Sequence, residues 1–170
     1  MSSMPNTLRM MNVFLNGISF IGQVLELKLP KIAMKTQDWE GGGLLAPVKL
    51  LKGLEAIEIE HTYSAPIREI FADFGIEKHD ASMLRFMGSY SEEGTGNDLA
   101  VEIVVRGRHN ELDPGDAKTG DNGNWKYKTD ATYYKLTVQG EVWLEIDTVN
   151  MIFVVMGVDR LAGHRKNIGI

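Results

Sequence analysis

Histidine is the side chain best suited to acid–base work near neutral pH, and this sequence has four, at His61, His79, His109 and His164. None shows the HExxH or comparable spacing that brings two imidazoles onto one metal, so each is read as a surface or packed residue rather than a ligand or base. Asp113, Asp116 and Asp121 gather around Pro114-Gly115 and Gly120, and clustered carboxylates can hold Ca²⁺, but the EF-hand ligand spacing is missing. Asp113-Pro114-Gly115-Asp116 reads better as a tight turn, with proline presetting φ and glycine accepting a positive one. Gly41-Gly42-Gly43 invites a phosphate-loop reading, yet no GK[ST] follows and no helix start is signalled, so a hinge is the better reading. Glycoside hydrolysis needs two carboxylates at a set separation, and spacing alone pairs none of the many acids here. Trp39, Trp125 and Trp143 with Tyr133 and Tyr134 have faces on which sugars or bases stack, but aromatics in strands usually serve the core or a subunit contact. The sequence thus assigns no catalytic residue, no metal ligand and no cofactor.

The elements that position these residues belong to a chain of 170 residues with 44% hydrophobic content, which fits one domain over residues 1–170. Eighteen basic against 23 acidic side chains leave a net charge of −5, the wrong sign for a protein that gains affinity by neutralising phosphates. Cysteine is absent, which removes disulfides and thiolate metal sites and fits assembly in a reducing cytoplasm. Arg9 is not followed by an adequate apolar leader segment, and no run approaches the ~18 apolar residues of a membrane span, so a soluble protein without a membrane anchor is expected.

Val13, Leu15, Ile18 and Phe20 flank Asn16-Gly17, which predicts a two-residue I′ hairpin with Leu15 opposite Ile18 and Val13 opposite Phe20 on one face. Leu25, Leu27 and Leu29 alternate with Glu26 and Lys28 as in a half-buried strand that Pro30 interrupts, and a strand resumes over residues 31–36. Residues 38–53 read as a loop or arm, because three glycines offer nothing to pack and Pro47 removes a donor. That segment is nonetheless apolar at Leu44, Leu45, Ala46, Val48, Leu50 and Leu51, which demands a cover. Residues 54–63 alternate Ile57 and Ile59 with Glu58 and Glu60, a strand. A helix is expected over 65–74, capped by Ser64 and ended by Gly75, with Ile67, Ile70, Phe71 and Phe74 inward and Arg68, Glu69 and Asp73 outward.

Strands over 83–90, 99–109, 125–138 and 141–147 dominate the second half and make the fold mainly β and antiparallel. The apolar parity changes within 125–138, from Trp125 and Tyr127 to Tyr134, Leu136 and Val138, which predicts a bulge or a crossing between two sheets. For those last three to share a face with Val142, Leu144 and Ile146, the loop must hold an odd number of residues, and 139–141 would satisfy this. A last strand over 150–158 and a short helix over 159–167, with Gly169 at its end, complete the reading.

Several segments together resemble the major tail tube proteins of contractile-tailed bacteriophages and the tube subunit of R-type pyocins, over nearly the whole chain from Asn12 to Ile170. Asn12-Val13-Phe14-Leu15-Asn16-Gly17 and Leu27-Lys28-Leu29-Pro30-Lys31 are similar to that family's opening hairpin and strand, and Gly42-Gly43 with Pro47-Val48 to its glycine-rich loop. The most specific segment is Glu111-Leu112-Asp113-Pro114-Gly115-Asp116-Ala117-Lys118, followed by Tyr133-Tyr134-Lys135-Leu136 and Glu145-Ile146-Asp147-Thr148-Val149-Asn150. The ending, Gly157-Val158-Asp159-Arg160-Leu161-Ala162-Gly163-His164-Arg165 through Ile168-Gly169-Ile170, completes the match. Trp39-Glu40 departs from the family's Tyr-Arg pair, and Lys49 and Lys52 make the following segment more basic than usual.

The resemblance implies an antiparallel β-sandwich or partial barrel with one helix outside, assembled in the host bacterial cytoplasm into hexameric rings that stack as the hollow tube of a virion tail. The tube conducts DNA during ejection, holds a tape measure protein in its lumen, sits inside a sheath protein, and meets baseplate, initiator and terminator proteins at its ends. Gly41, Gly42, Gly43, Leu44, Leu45, Pro47, Leu50 and Leu51 would form a ring-stacking loop, and Arg68, Glu69 and Asp73 a sheath-facing helix surface. Glu58, Glu60, Glu141, Glu145 and Asp147 are candidates for an acidic lumen wall that repels DNA phosphates. A DNA-free bacteriocin tube is the alternative within the family, and a β-sandwich binding module the alternative outside it.

Overall fold

The computed structural model describes residues 4–170. Its strands are β1 (Asn6–Leu15), β2 (Ile18–Ser19), β3 (Val24–Lys28), β4 (Met34–Trp39), β5 (Val48–Leu54), β6 (Ile57–Tyr63), β7 (Ser82–Glu92), β8 (Asp98–Asp113), β9 (Trp125–Val138), β10 (Glu141–Asp147), β11 (Ile152–Val155) and β12 (Val158–Asp159). Two helices, α1 (Arg68–Asp73) and α2 (Ala162–Ile168), complete the set. Among the described residues ten strands form one antiparallel sheet in the order β12-β11-β10-β9-β8-β7-β1-β2, with β6 joined to β9 and β3 to β6, while β4 and β5 pair only with each other.

Asn16 and Gly17 both take positive φ, 49° and 85°, as a I′ turn requires. Leu15 lies opposite Ile18, and the Phe20 amide donates to the Val13 carbonyl at 2.9 Å. Val13, Leu15 and Phe20 are buried, but Ile18, at the turn, is exposed.

The parity change in β9 is both a bulge and a change of partner. Trp125 to Ala131 pair with β6, and Tyr133 to Val138 with β10, while β8 runs beside both halves. Arg106 faces Tyr133 and Gly107 faces Ala131, so Thr132 is the extra residue. Gly107 is required there, because a Cβ would lie 1.9 Å from the Asp130 carbonyl oxygen. Tyr127 and Thr129 therefore point inward before the bulge, and Tyr134 and Val138 after it. The two halves close on one core of Val13, Leu15, Ile59, Tyr63, Leu84, Phe86, Val105, Tyr127 and Ile146.

Four expectations need correction. Residues 38–53 are not an irregular loop: β4 and β5 form a paired ribbon with one bulge at Lys52-Gly53, and Gly41-Gly42-Gly43 and Pro47 are confined to its tip, where they interrupt no ladder. The β9–β10 turn has two residues, Gln139 and Gly140, instead of three, and the odd residue is taken up by a bulge between Val142 and Leu144 that aligns Leu144 with Leu136 and Ile146 with Tyr134. The strand expected over 150–158 is broken by a turn at Met156-Gly157 into β11 and β12. The first helix begins at Arg68 with no side-chain cap, because the Ser64 amide donates to the Gln23 carbonyl at 3.2 Å and stays with the sheet. Of its apolar stripe Ile67 and Ile70 are buried, whereas Phe71 and Phe74 are each 44% exposed. Helix α2 ends as expected: Gly169 (φ 83°) and Ile170 return their amides to the Lys166 and Arg165 carbonyls.

Candidate functional site

The ribbon shows its side chains to water on both faces. Leu45 is fully exposed, and Met34, Trp39, Leu44, Val48, Leu50 and Leu51 are each exposed by more than a third. At the tip, the Leu44 amide donates to the Gly41 carbonyl at 3.2 Å, Gly43 has φ 86°, and a Cβ on Gly41 would meet the Trp39 indole nitrogen at 3.0 Å. Gly42 and Pro47 complete the connection, and its charged ladder pair, Lys49 with Asp38, stands 4.0 Å apart. An isolated two-stranded hairpin is marginal in water, and this one hydrogen-bonds to no third strand among the described residues.

The acidic sheet residues divide into two sets, on the side of the sheet away from the core except for Glu141, which lies opposite inward-facing Val138 at the end of its strand. Glu58 and Glu60 alternate with buried Ile57, Ile59 and His61 on β6. They are interleaved with lysines: Glu58 with Lys128 at 3.9 Å, Glu60 with Lys28 at 3.7 Å, and Lys128 also with Glu111 at 3.6 Å. Glu141, Glu145 and Asp147 lie on β10, against the other half of β9. Glu141 is exposed, Glu145 accepts the Tyr133 hydroxyl at 3.1 Å, and Asp147 accepts the Asn150 amide and side-chain nitrogen at 3.1 and 2.7 Å. Burial, then the charge of Glu145, pushes the Tyr133 phenol up to about 12.

On α1, Arg68 is exposed and Glu69 half-buried, but Asp73 is committed internally: it accepts Asn16 Nδ2 at 2.6 Å and Ser82 Oγ at 3.0 Å. It ties the helix to the first hairpin and to β7. The Asp113 turn likewise uses its carboxylate locally, accepting the Gly115 amide at 3.0 Å, where φ is 67° and a Cβ would meet the Asn124 carbonyl oxygen at 2.7 Å.

Composition alone did not reveal a buried polar cluster. His61 Nε2 and His109 Nδ1 contact the same Thr129 Oγ1, at 2.9 and 2.7 Å, and His61 Nδ1 contacts the Tyr63 hydroxyl at 3.1 Å. Tyr127 stacks beside His61, and its hydroxyl accepts the Ile67 amide at 3.3 Å. The available signal was the alternation Ile57, Ile59, His61, Tyr63, which puts His61 on the inward parity of β6. Burial and then His109 push His61 down to about 3; burial lowers His109 too, partly offset by Asp73. Neutral rings can form one directed chain, with Tyr63 donating to His61, His61 to Thr129, and Thr129 to His109. His61 is fully buried, so this is core architecture, out of a substrate's reach. His79 and His164 are exposed. Among the described residues no group of three His, Asp or Glu side chains is arranged to hold a metal, and no helix is long and apolar enough to cross a membrane.

The model of the family described as phage tail tube protein FII matches residues 5–169. The chain belongs to that family. This tail tube protein is 42% identical over 174 residues to the tail tube protein of Escherichia phage P2, covering 99% of both chains. It is 36% identical over 153 residues to the major tail tube protein of Serratia phage KSP20, covering 89% of this chain and 88% of that one. A chain in the cryo-EM structure of the anti-feeding prophage baseplate overlaps 82% of it, and 98% of its own length, at a TM-score of 0.49 and 14% identity. The protein is therefore a structural component of a virion tail, the tube subunit and not an enzyme.

Proposed function

We propose that copies of this chain close into hexameric rings, and that the rings stack through the β4–β5 ribbon into a conduit for DNA inside a contractile sheath. The observation that carries this reading is the ribbon itself, a paired element with large apolar side chains on both faces and no third strand hydrogen-bonded to it among the described residues. Apolar surface of this kind returns ~25 cal/mol per Å² when a partner covers it. Around the ring the contact between copies closes, and along the axis it does not, so it propagates as a filament. Gly41, Gly42, Gly43 and Pro47 shape the tip, and Leu44, Leu45, Leu50 and Leu51 supply the docking surface. Glu58, Glu60, Glu141, Glu145 and Asp147 contribute to the lumen wall, where an excess of acid over lysine keeps phosphate from adhering. Arg68 and Glu69 offer the sheath a polar contact weak enough to release, while Asp73 supports the helix that carries them. Assembly proceeds in the host cytoplasm on a baseplate and initiator, around a tape measure protein, up to a terminator.

Negative-stain microscopy of the purified protein tests the proposal. Annuli and rods are expected as concentration rises; folded protein that stays solitary at high concentration would overturn it.

A further inference from the structure

Beside the base of the ribbon lies a second apolar feature, an open cavity of about 680 Å³ between the ribbon and α2. Met34 and Leu54 line it from the ribbon, Met151, Ile152 and Phe153 from the start of β11, and Leu161 from the residue before α2. Its volume falls in the ~300–1,000 Å³ range of sites that enclose drug-sized groups. Arg160, Glu55 and His164 are also part of the lining, and neither Arg160 nor Glu55 has an ion-pair partner among the described residues. Glu40, the one charged residue of the ribbon tip at 40–47, has none either.

We propose that this groove receives the ribbon tip of a second copy of the chain, with Leu44 and Leu45 entering the apolar floor and Glu40 meeting Arg160. The inference rests on the tube reading and names the receptor that reading leaves open. A chain's own tip cannot fill its own groove: β4 runs from Met34 at the groove to Trp39 at the tip, roughly 17 Å at ~3.3 Å per residue, and folding back would break the ladder with β5. The occupant must come from elsewhere. The tip is apolar with a single negative charge, and the groove has an apolar floor with one unpaired arginine, Arg160, and one acid, Glu55, in its lining, so the apolar surfaces match and Arg160 is the cation the groove offers Glu40. They are also different patches of one chain, so every copy both gives a tip and offers a groove, the head-to-tail arrangement that propagates without closing.

The absence of cysteine from the sequence permits a clean cross-linking test. Leu45→Cys and Thr148→Cys, the latter an exposed residue of the groove lining, are combined in one chain, assembled and mildly oxidised. A ladder of covalent oligomers beyond the dimer is expected from the double variant and not from either single one. Independently, Glu40→Arg or Arg160→Glu should raise the concentration needed for assembly by about tenfold or more, and the two together should restore it. Tubes that form without a ladder, and at unchanged concentration in both charge variants, would remove the groove assignment while leaving the tube reading intact. Failure of the unaltered protein to form rings or rods would remove both.

Discussion

Thr129 holds the buried cluster together, because one hydroxyl serves both His61 and His109. Replacing it with valine keeps the shape but leaves two ring nitrogens without a partner, at ~1–3 kcal/mol each. Thr129→Val should therefore lower the stability of the unassembled protein by about 3 kcal/mol, seen as a lower urea midpoint at unchanged slope. The same cluster sets an acid limit. His61 is neutral in the fold down to about 3, whereas in the unfolded chain it titrates at the ordinary value of 6.5. Between those values the unfolded state binds more protons, so stability is complete above 6.5 and falls as pH drops toward 3. The loss is about 1.4 kcal/mol per pH unit for each such histidine once the pH is well below 6.5. The lowered value of His109 works in the same direction, moderated by Asp73. Urea titrations across this range should show the dependence, and a His61→Gln variant that still folds should show a shallower one.

At the scale of the elements, the ribbon tip is separable from the fold. Replacing residues 40–47 with Asn-Gly would join Trp39 and Val48, which already face each other, by a two-residue turn. The unfolding temperature of the dilute protein should change by only a few degrees, roughly what ~1 kcal/mol produces, while microscopy should find no rods. Gly107→Ala is the opposite case, since its Cβ would collide with backbone at the β9 bulge and the sheet itself should fail to form. Spectroscopy showing native β content in that variant would contradict the bulge. These examples also mark what the sequence makes legible. The first hairpin, β9, β10 and the end of α2 were readable because one face is buried and the turn residues are specific. The ribbon was not: with both faces exposed its leucines follow no inward parity, and glycines at its tip read as loop throughout. Bulges at Thr132 and Trp143 were visible only as a conflict of parity, whose resolution depends on strands far away in sequence. The alternation of Glu58 and Glu60 revealed which way they point, but not Lys128 beside them, which comes from β9. Asp73 looked free on its helix for the same reason, as its donors Asn16 and Ser82 lie on other elements.

For the whole molecule, the proposed tube depends on which face of the sheet surrounds its channel. Glu58, Glu60, Glu145 and Asp147 lie away from the core, so closing the sheet into a ring could turn either pair inward. Lysines temper the first set, with Lys28 and Lys128 among Glu58, Glu60 and Glu111, and hydrogen bonds hold the second, with Glu145 on Tyr133 and Asp147 on Asn150. A wall of fixed carboxylates repels phosphate without rearranging as DNA passes, whereas a wall of lysines would bind it through counterion release and slow it. With a net charge of −5 the chain can present acid excess to a lumen without becoming acidic everywhere. Cysteines placed singly at Glu58 and Glu145 should report the arrangement, since no native thiol competes. In dilute protein both should react with a small and a bulky maleimide; in assembled tubes with closed ends, the small reagent alone should label them. Rapid labelling of one position by the bulky reagent in tubes would move that set to the outer surface, and labelling of both would leave the lumen to be lined by other residues.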